Sequence, residues 1–240
     1  MKHRILFFMI LLAVLCQTVK ADIVVGKVND DLSVTPMGQL NYEIPIPVLS
    51  GTGGVSPKLS ITYNSSNKLG LCGYGFDLTG LSIITRVPQN KFNDGKAGFV
   101  NFTSSDRYAL DGMRLINTGT ANEYVTEIKN FAKITAFGDT ENPSSFIVLS
   151  KDGLKYEYTS NTEVIGNTTE KPLFWVLTKV SDTVGNYFTV TYEGDAFDHE
   201  AYPVRIDYTG NDNAALVPYA SIRLDYEFNR NIATTYIYEL

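Results

Sequence analysis

Apolar and polar residues alternate with a period of two through most of this chain, and a chain patterned this way has few options besides half-buried β-strands. Tyr42, Ile44, Ile46 and Val48 alternate with Asn41, Glu43, Pro45 and Pro47. Leu59, Ile61 and Tyr63 alternate with Ser60, Thr62 and Asn64, and Leu154, Tyr156 and Tyr158 with Lys155 and Glu157. The longest run comes late: Ala220, Ile222, Leu224, Tyr226 and Phe228 against Ser221, Arg223, Asp225 and Glu227. Strands of this kind have one wet face and one buried face, the pattern of antiparallel sheets. Pro45 and Pro47 have no N–H to give to a ladder, which predicts an edge position for their strand. Asp111-Gly112 and Asp152-Gly153 each separate two such runs and supply the positive φ angles of tight hairpins. Further turns are predicted at Gly185-Asn186 and at Thr209-Gly210-Asn211. No stretch after Ala21 has a convincing helical pattern, and the turns follow no fixed period. The Ser50 to Ser56 stretch is the most flexible connector, but it is too short to divide domains. The expected fold is all-β, made of antiparallel hairpins and meanders.

The first 21 residues stand apart. Lys2, His3 and Arg4 precede an apolar run from Ile5 to Leu15, the length of a signal-peptide core. A spanning helix would need roughly twenty such residues. Val19-Lys20-Ala21 places modest side chains at the cleavage position, so residues 1–21 are expected to be a signal peptide cut after Ala21. An uncleaved anchor is the alternative. A lipid-modified Cys16 is disfavoured because Leu15 stands where a small residue is wanted. The remaining domain, residues 22–240, is expected to be secreted or held at a bacterial cell surface, with no integral membrane segment.

Three of the 20 basic residues and none of the 26 acids fall in residues 1–21, leaving 17 against 26 and a net charge of −9. That balance argues against binding nucleic acid, whose usual footprint is a basic stripe. One cysteine, Cys72, remains, so stability must come from packing and strand pairing. The remaining histidine, His199, is distant in sequence from Cys72 and does not suggest a Cys–His pair. One histidine cannot build a common zinc site. Asp195, Asp198, His199 and Glu200 form an acidic cluster, yet the spacing matches no calcium loop and a solvated loop is the preferred reading. Asn211-Asp212-Asn213 has the chemistry of an ordinary turn. Trp175 lies within the apolar run Leu173 to Leu177 and is expected in the core, not on a sugar platform. The sequons at Asn64, Asn101 and Asn167 matter only in a eukaryotic host. No residue is assigned a catalytic, cofactor-binding or metal-binding role, and no cofactor is expected.

Several segments resemble the N-terminal domain of SpvB-type virulence proteins and the corresponding region of the B component of Tc toxin complexes, within the Rhs (YD-repeat) superfamily. They begin with Gly38-Gln39-Leu40-Asn41-Tyr42-Glu43-Ile44-Pro45-Ile46 and Pro57-Lys58-Leu59-Ser60-Ile61-Thr62-Tyr63-Asn64. Gly70-Leu71-Cys72-Gly73-Tyr74-Gly75-Phe76 and Gly80-Leu81-Ser82-Ile83-Ile84 with Arg86 follow. Asp106-Arg107-Tyr108-Ala109-Leu110-Asp111-Gly112 precedes an Arg114-Leu115 pair. Lys151-Asp152-Gly153, then Trp175-Val176-Leu177 with Asp182-Thr183-Val184-Gly185-Asn186, and finally Tyr202-Pro203-Val204-Arg205 complete the series in family order. Phe76 stands where the family usually has Trp, and Cys72 where it usually has a small residue.

The resemblance implies part of an Rhs-type β-sheet shell that encloses or carries a C-terminal effector not present in this chain. It implies that any catalysis lies in that distal part, so the chain is not expected to be an enzyme. The partners implied are further shell strands, in the same or another polypeptide, and a toxin-complex partner protein. The last strand is expected to present an unpaired edge, because a closed shell should need more strands than this chain supplies. The alternatives are a surface adhesin or glycan-binding β module, marked by exposed aromatics, and a hydrolase with an unrecognised carboxylate pair, marked by a deep acidic cleft.

Overall fold

A computed structural model of the chain describes residues 31–166, 170–195 and 200–226. The expected signal peptide, and the end of the last alternating run from Glu227 onward, lie outside the described residues. Most of the alternating segments form strands as expected; the late run does so only over Ala220–Arg223, with Leu224, Asp225 and Tyr226 outside any strand. The strands sort into two antiparallel sheets.

The smaller sheet is built from β1 (Asp31–Val34), β2 (Leu40–Ile46), β3 (Leu59–Asn64), β4 (Leu69–Gly70), β5 (Gly73–Tyr74) and β6 (Phe76–Thr79), in the order β1-β2-β3-β6-β5-β4. Its register separates the residues by polarity. One face stacks Leu32, Tyr42, Tyr63 and Phe76 in a row, Ile44, Ile61 and Leu78 in the next, with Val34 beside Leu40 and Ile46 beside Leu59. The other face carries Asp31, Glu43, Thr62 and Asp77, then Ser33, Asn41 and Asn64, then Pro45, Ser60 and Thr79. The strand containing Pro45 is not at the edge, as its prolines predicted. It is flanked by β1 and β3. Among the described residues the β1–β2 ladder runs from Val34↔Leu40 to Asp31↔Glu43, and the position that would face Pro45 across it lies outside the described residues.

The larger sheet begins with β7 (Ile83–Val87), β8 (Arg107–Leu110), β9 (Met113–Asn117), β10 (Glu123–Thr126), β11 (Lys133–Gly138), β12 (Pro143–Leu149) and β13 (Lys155–Ser160). It ends with β14 (Phe174–Ser181), β15 (Asn186–Asp195), β16 (Glu200–Asn211) and β17 (Ala220–Arg223). Strands β7 to β13 run as a meander, and β14 pairs with both ends of it. The eight strands β7 to β14 therefore close into a barrel within the all-β, antiparallel fold that was expected. Eight strands leave an interior that side chains can fill. Along its other side β14 divides its partners: Phe174–Val176 pair with β7, and Lys179–Ser181 pair with β15. The hairpin of β15 and β16 thus leaves the barrel as an extension, and β17 is its outer strand among the described residues.

The hairpin turns follow the sequence. Asp111 and Gly112 both have positive φ, 49° and 78°, between β8 and β9. Gly153, with φ 81°, serves the turn between β12 and β13. Gly185, with φ 88°, lies between β14 and β15. Thr209-Gly210-Asn211 is not a turn. Tyr187 faces Gly210 and Phe188 faces Tyr208, so Thr209 is a bulge residue within β16, with φ 84°. The turn comes one step later, where Ala215 N–H donates to the Asp212 carbonyl. Two one-turn helices, Lys91–Asp94 and Asn161–Val164, also escape the sequence reading, being too short for any period to register.

The Ser50 to Ser56 connector is a docked segment and not a loose one. Thr52 Oγ1 donates to the Thr209 carbonyl at 2.9 Å, and Val55 is buried in the core. A side chain at Gly53 would meet Asn186 Nδ2 at 2.3 Å, and its φ of 61° suits glycine. This contact joins the small sheet to the β15–β16 extension.

Candidate functional site

The barrel interior is built from the inward residues of each strand. On β7 the alternation Ile83-Ile84-Thr85-Arg86 sends Ile84 and Arg86 to the same, buried side. Trp175 pairs across from Ile84, and Tyr108 across from Arg86. Trp175, Tyr108 and Phe146 meet edge-to-face with ring centroids 5.0–5.3 Å apart. Trp175 Nε1 donates to the Pro143 carbonyl at 2.7 Å. Trp175 is thus a core residue, as expected, and offers no sugar platform. Burial pushes the phenols of Tyr108, Tyr158 and Tyr192 upward, so they serve as neutral donors. Tyr158 donates to Ser82 Oγ at 2.9 Å and Tyr192 to the Leu177 carbonyl at 3.0 Å.

Arg86 is the buried charge of this interior. Its Nε donates to the Pro172 carbonyl, one terminal nitrogen to Asp106 Oδ2 and the Glu141 carbonyl, and the other to the Glu141 carbonyl and Asn142 Oδ1, all at 3.0–3.1 Å. The guanidinium lies 5.2 Å from the Phe102 ring centroid, 5.6 Å from Tyr108 and 5.7 Å from Trp175. Asp106 also accepts the N–H groups of Asn101 and Phe102. One arginine therefore holds three loops together at one end of the barrel. A buried, fully paired arginine of this kind is a structural tie. The sequence placed Arg86 in a family motif but gave no sign of these partners, which come from three distant loops.

The residues weighed for chemistry are dispersed. Cys72 is exposed between β4 and β5. Asp198 and His199 lie outside the described residues, and Asp195 and Glu200 are opposite one another where β15 meets β16. Among the described residues no three metal-ligating side chains gather. Asp212 pairs with Lys179 at 2.7 Å, and Asn211 Nδ2 donates to Asn186 Oδ1, which confirms turn and strand chemistry there. Asn64 is half-buried and donates to Asn41 Oδ1, Asn101 is exposed, and Asn167 lies outside the described residues. No described helix is long and apolar enough to cross a membrane.

What the fold leaves available is a surface. The apolar face of the small sheet is covered at one end, where Leu59 is 3% exposed, and bare at the other, where Leu32 and Val34 are 64% and 67% exposed. Between them a groove of about 430 Å³ runs between Ile46, Ile61, Leu71 and Leu78 on the sheet and Leu224 and Tyr226 just beyond β17. On the far side of that segment a groove of about 530 Å³ carries Glu193 and Asp225 beside Arg205 and Arg223. It is of mixed charge and not an acidic cleft.

Comparison with known proteins places this architecture. Residues 34–214 match the family described as the Salmonella virulence plasmid 65kDa B protein, SpvB. No curated protein matches the chain. Among solved structures, a Tc holotoxin pore of Photorhabdus luminescens aligns with a TM-score of 0.59 and 17% identity, over 76% of this chain and 10% of that one. A TcdB2-TccC3 structure aligns with a TM-score of 0.55 and 17% identity, over 75% of this chain and 10% of that one. The N-terminal domain of the effector protein SpvB from Salmonella typhimurium strain LT2 aligns with a TM-score of 0.54 and 15% identity, over 69% of this chain and 63% of that domain. The chain thus spans about a tenth of the length of the Tc chains that share its fold. With the family match covering residues 34–214 and the same fold in both groups of relatives, the chain belongs to the SpvB family.

Proposed function

We propose that this domain is an exported wall segment of a toxin-complex-like shell, packing against further shell polypeptide, and that any catalysis is performed elsewhere in the assembly. The bare apolar face of the small sheet carries this reading. A sheet with one apolar and one polar face normally buries the apolar one. Here Leu32, Val34 and Leu40 are exposed, with no such cover among the described residues, while Ile46, Leu59 and Leu78 further along the same face pack with the core. Strand β17, outermost among the described residues, offers a second, hydrogen-bonding junction for added strands. The likeness to Tc chains about ten times longer supports the idea of a wall to be continued. The Arg86 tie and the aromatic interior suit a rigid structural unit.

Leu32→Asp together with Val34→Asp tests the face. Both side chains are exposed, so the purified chain should keep its unfolding free energy within roughly 0.5 kcal/mol. Introduced at the native locus, the pair should abolish co-purification of the remaining shell polypeptide. Undiminished co-purification would show that the face is no shell contact.

A further inference from the structure

A second apolar surface lies on the barrel, apart from the face just described. The backbone from Gln89 to Gly98 is closed by a bond from Gly98 N–H to the Gln89 carbonyl. Within it the one-turn helix Lys91–Asp94 is capped by Asn90, whose side chain accepts from Asn93 N–H at 2.7 Å. The loop after β10 is fixed in turn, because Thr126 Oγ1 donates to the Ile128 carbonyl and Asn130 Oδ1 accepts from Ala132 N–H. The two loops are joined. Asn93 Nδ2 donates to Glu127 Oε1 at 3.0 Å, and Glu127 N–H donates to the carbonyl of Arg114, whose guanidinium pairs with Asp94.

This scaffold holds large apolar side chains out into solvent. Phe92 is 91% exposed, Ile128 71% and Phe131 81%. Lysines 91, 96 and 129 flank them and are exposed too. Arg107 and Arg114 lie behind, both paired with Asp94. The remaining acids are Glu127, bound to Asn93, and Asp111, which accepts from Ser82 Oγ and Ile83 N–H. Five basic groups thus face three acids in a chain whose overall charge is −6. Exposed phenylalanines beside lysines, on loops tied in place, match the chemistry of an anionic lipid interface. There the rings enter the acyl boundary and the ammonium groups meet headgroup phosphates.

We propose that the paired loops around Phe92 and Phe131 dock on anionic lipid surfaces. The test attaches an environment-sensitive dye at Ala97→Cys, in the full chain with Cys16→Ser and Cys72→Ser. The control site is Thr120→Cys, in the turn at the opposite end of the β9–β10 hairpin. Vesicles of equal parts phosphatidylcholine and phosphatidylglycerol should blue-shift the dye at position 97 and brighten it at least about fivefold, with no change at position 120. Pure phosphatidylcholine should give far less. Phe92→Ser with Phe131→Ser, or Lys91→Glu with Lys129→Glu, should remove the response. The control site separates loop insertion from attachment through the apolar run near the N-terminus, which would not bury a dye at position 97. No response, an equal response at both sites, or a response to pure phosphatidylcholine as strong as to the mixture would overturn the proposal. So would brightening without vesicles as protein concentration rises, which would mean self-association.

Discussion

Trp175→Ala should destabilise the domain by about 3–5 kcal/mol, the range for emptying a large aromatic from a packed core. Trp175 is fully buried, touches Tyr108 and Phe146 edge-to-face, and holds the Pro143 carbonyl through Nε1. It also sits on β14 where that strand meets β7, so the cavity would open at the closing seam of the barrel. For a chain of this size the loss corresponds to a fall in Tm of roughly 10 °C. Trp175→Phe separates the contributions. It keeps an aromatic body but leaves the Pro143 carbonyl without its donor, and should cost about 1–3 kcal/mol from that group, together with a smaller packing loss. Urea titration of the variants measures both. Near-equal midpoints for Ala and the native residue would mean that the seam does not depend on this side chain.

Arg86→Met should be comparably severe, at about 3–5 kcal/mol, although methionine fills much of the same volume. The substitution strips Asp106 of its counter-charge at a site where both side chains are essentially excluded from solvent. It also takes the guanidinium donors away from the Pro172 carbonyl and from the Glu141 carbonyl, which keeps only the Tyr108 hydroxyl of the donors described. Arg86→Lys keeps the charge but not the planar fork that reaches three loops at once, and should recover only part of the loss. Arg86→Met combined with Asp106→Asn should lose less than the two single changes added together, because the uncompensated charge is gone. A strictly additive double variant would show that Arg86 and Asp106 do not act as a pair.

The fold was legible where it is local. Most alternating runs became strands, the late one only over Ala220–Arg223, and Asp111-Gly112 and Asp152-Gly153 became hairpin turns, because a tight turn is decided by the φ angles of two or three residues. Thr209-Gly210-Asn211 misled because glycine and asparagine mark bulges as readily as turns, and only the facing strand tells them apart. Barrel closure was hidden for a different reason. It depends on β14 reaching back to β7 across some 90 residues of chain, and nothing in either segment names the other. Pro45 was correctly read as unable to donate, but its strand is flanked by β1 and β3 and is not at the sheet edge. Arg86 is the instructive omission. An arginine at a buried strand position looks like a pattern error until its partners from three loops are in view. The bare face of the small sheet could have been found by aligning the alternating runs, had their register been known.

If this domain is one part of a larger wall, the mass of the native product shows it most directly. An antibody raised against residues 22–240 would capture it from the producing cells and their medium for intact mass measurement. A wall segment should appear as a polypeptide, or a tightly held assembly, far larger than the 26.6 kDa of this chain. A monomer of the chain's own size, soluble and alone, would contradict the proposed wall role.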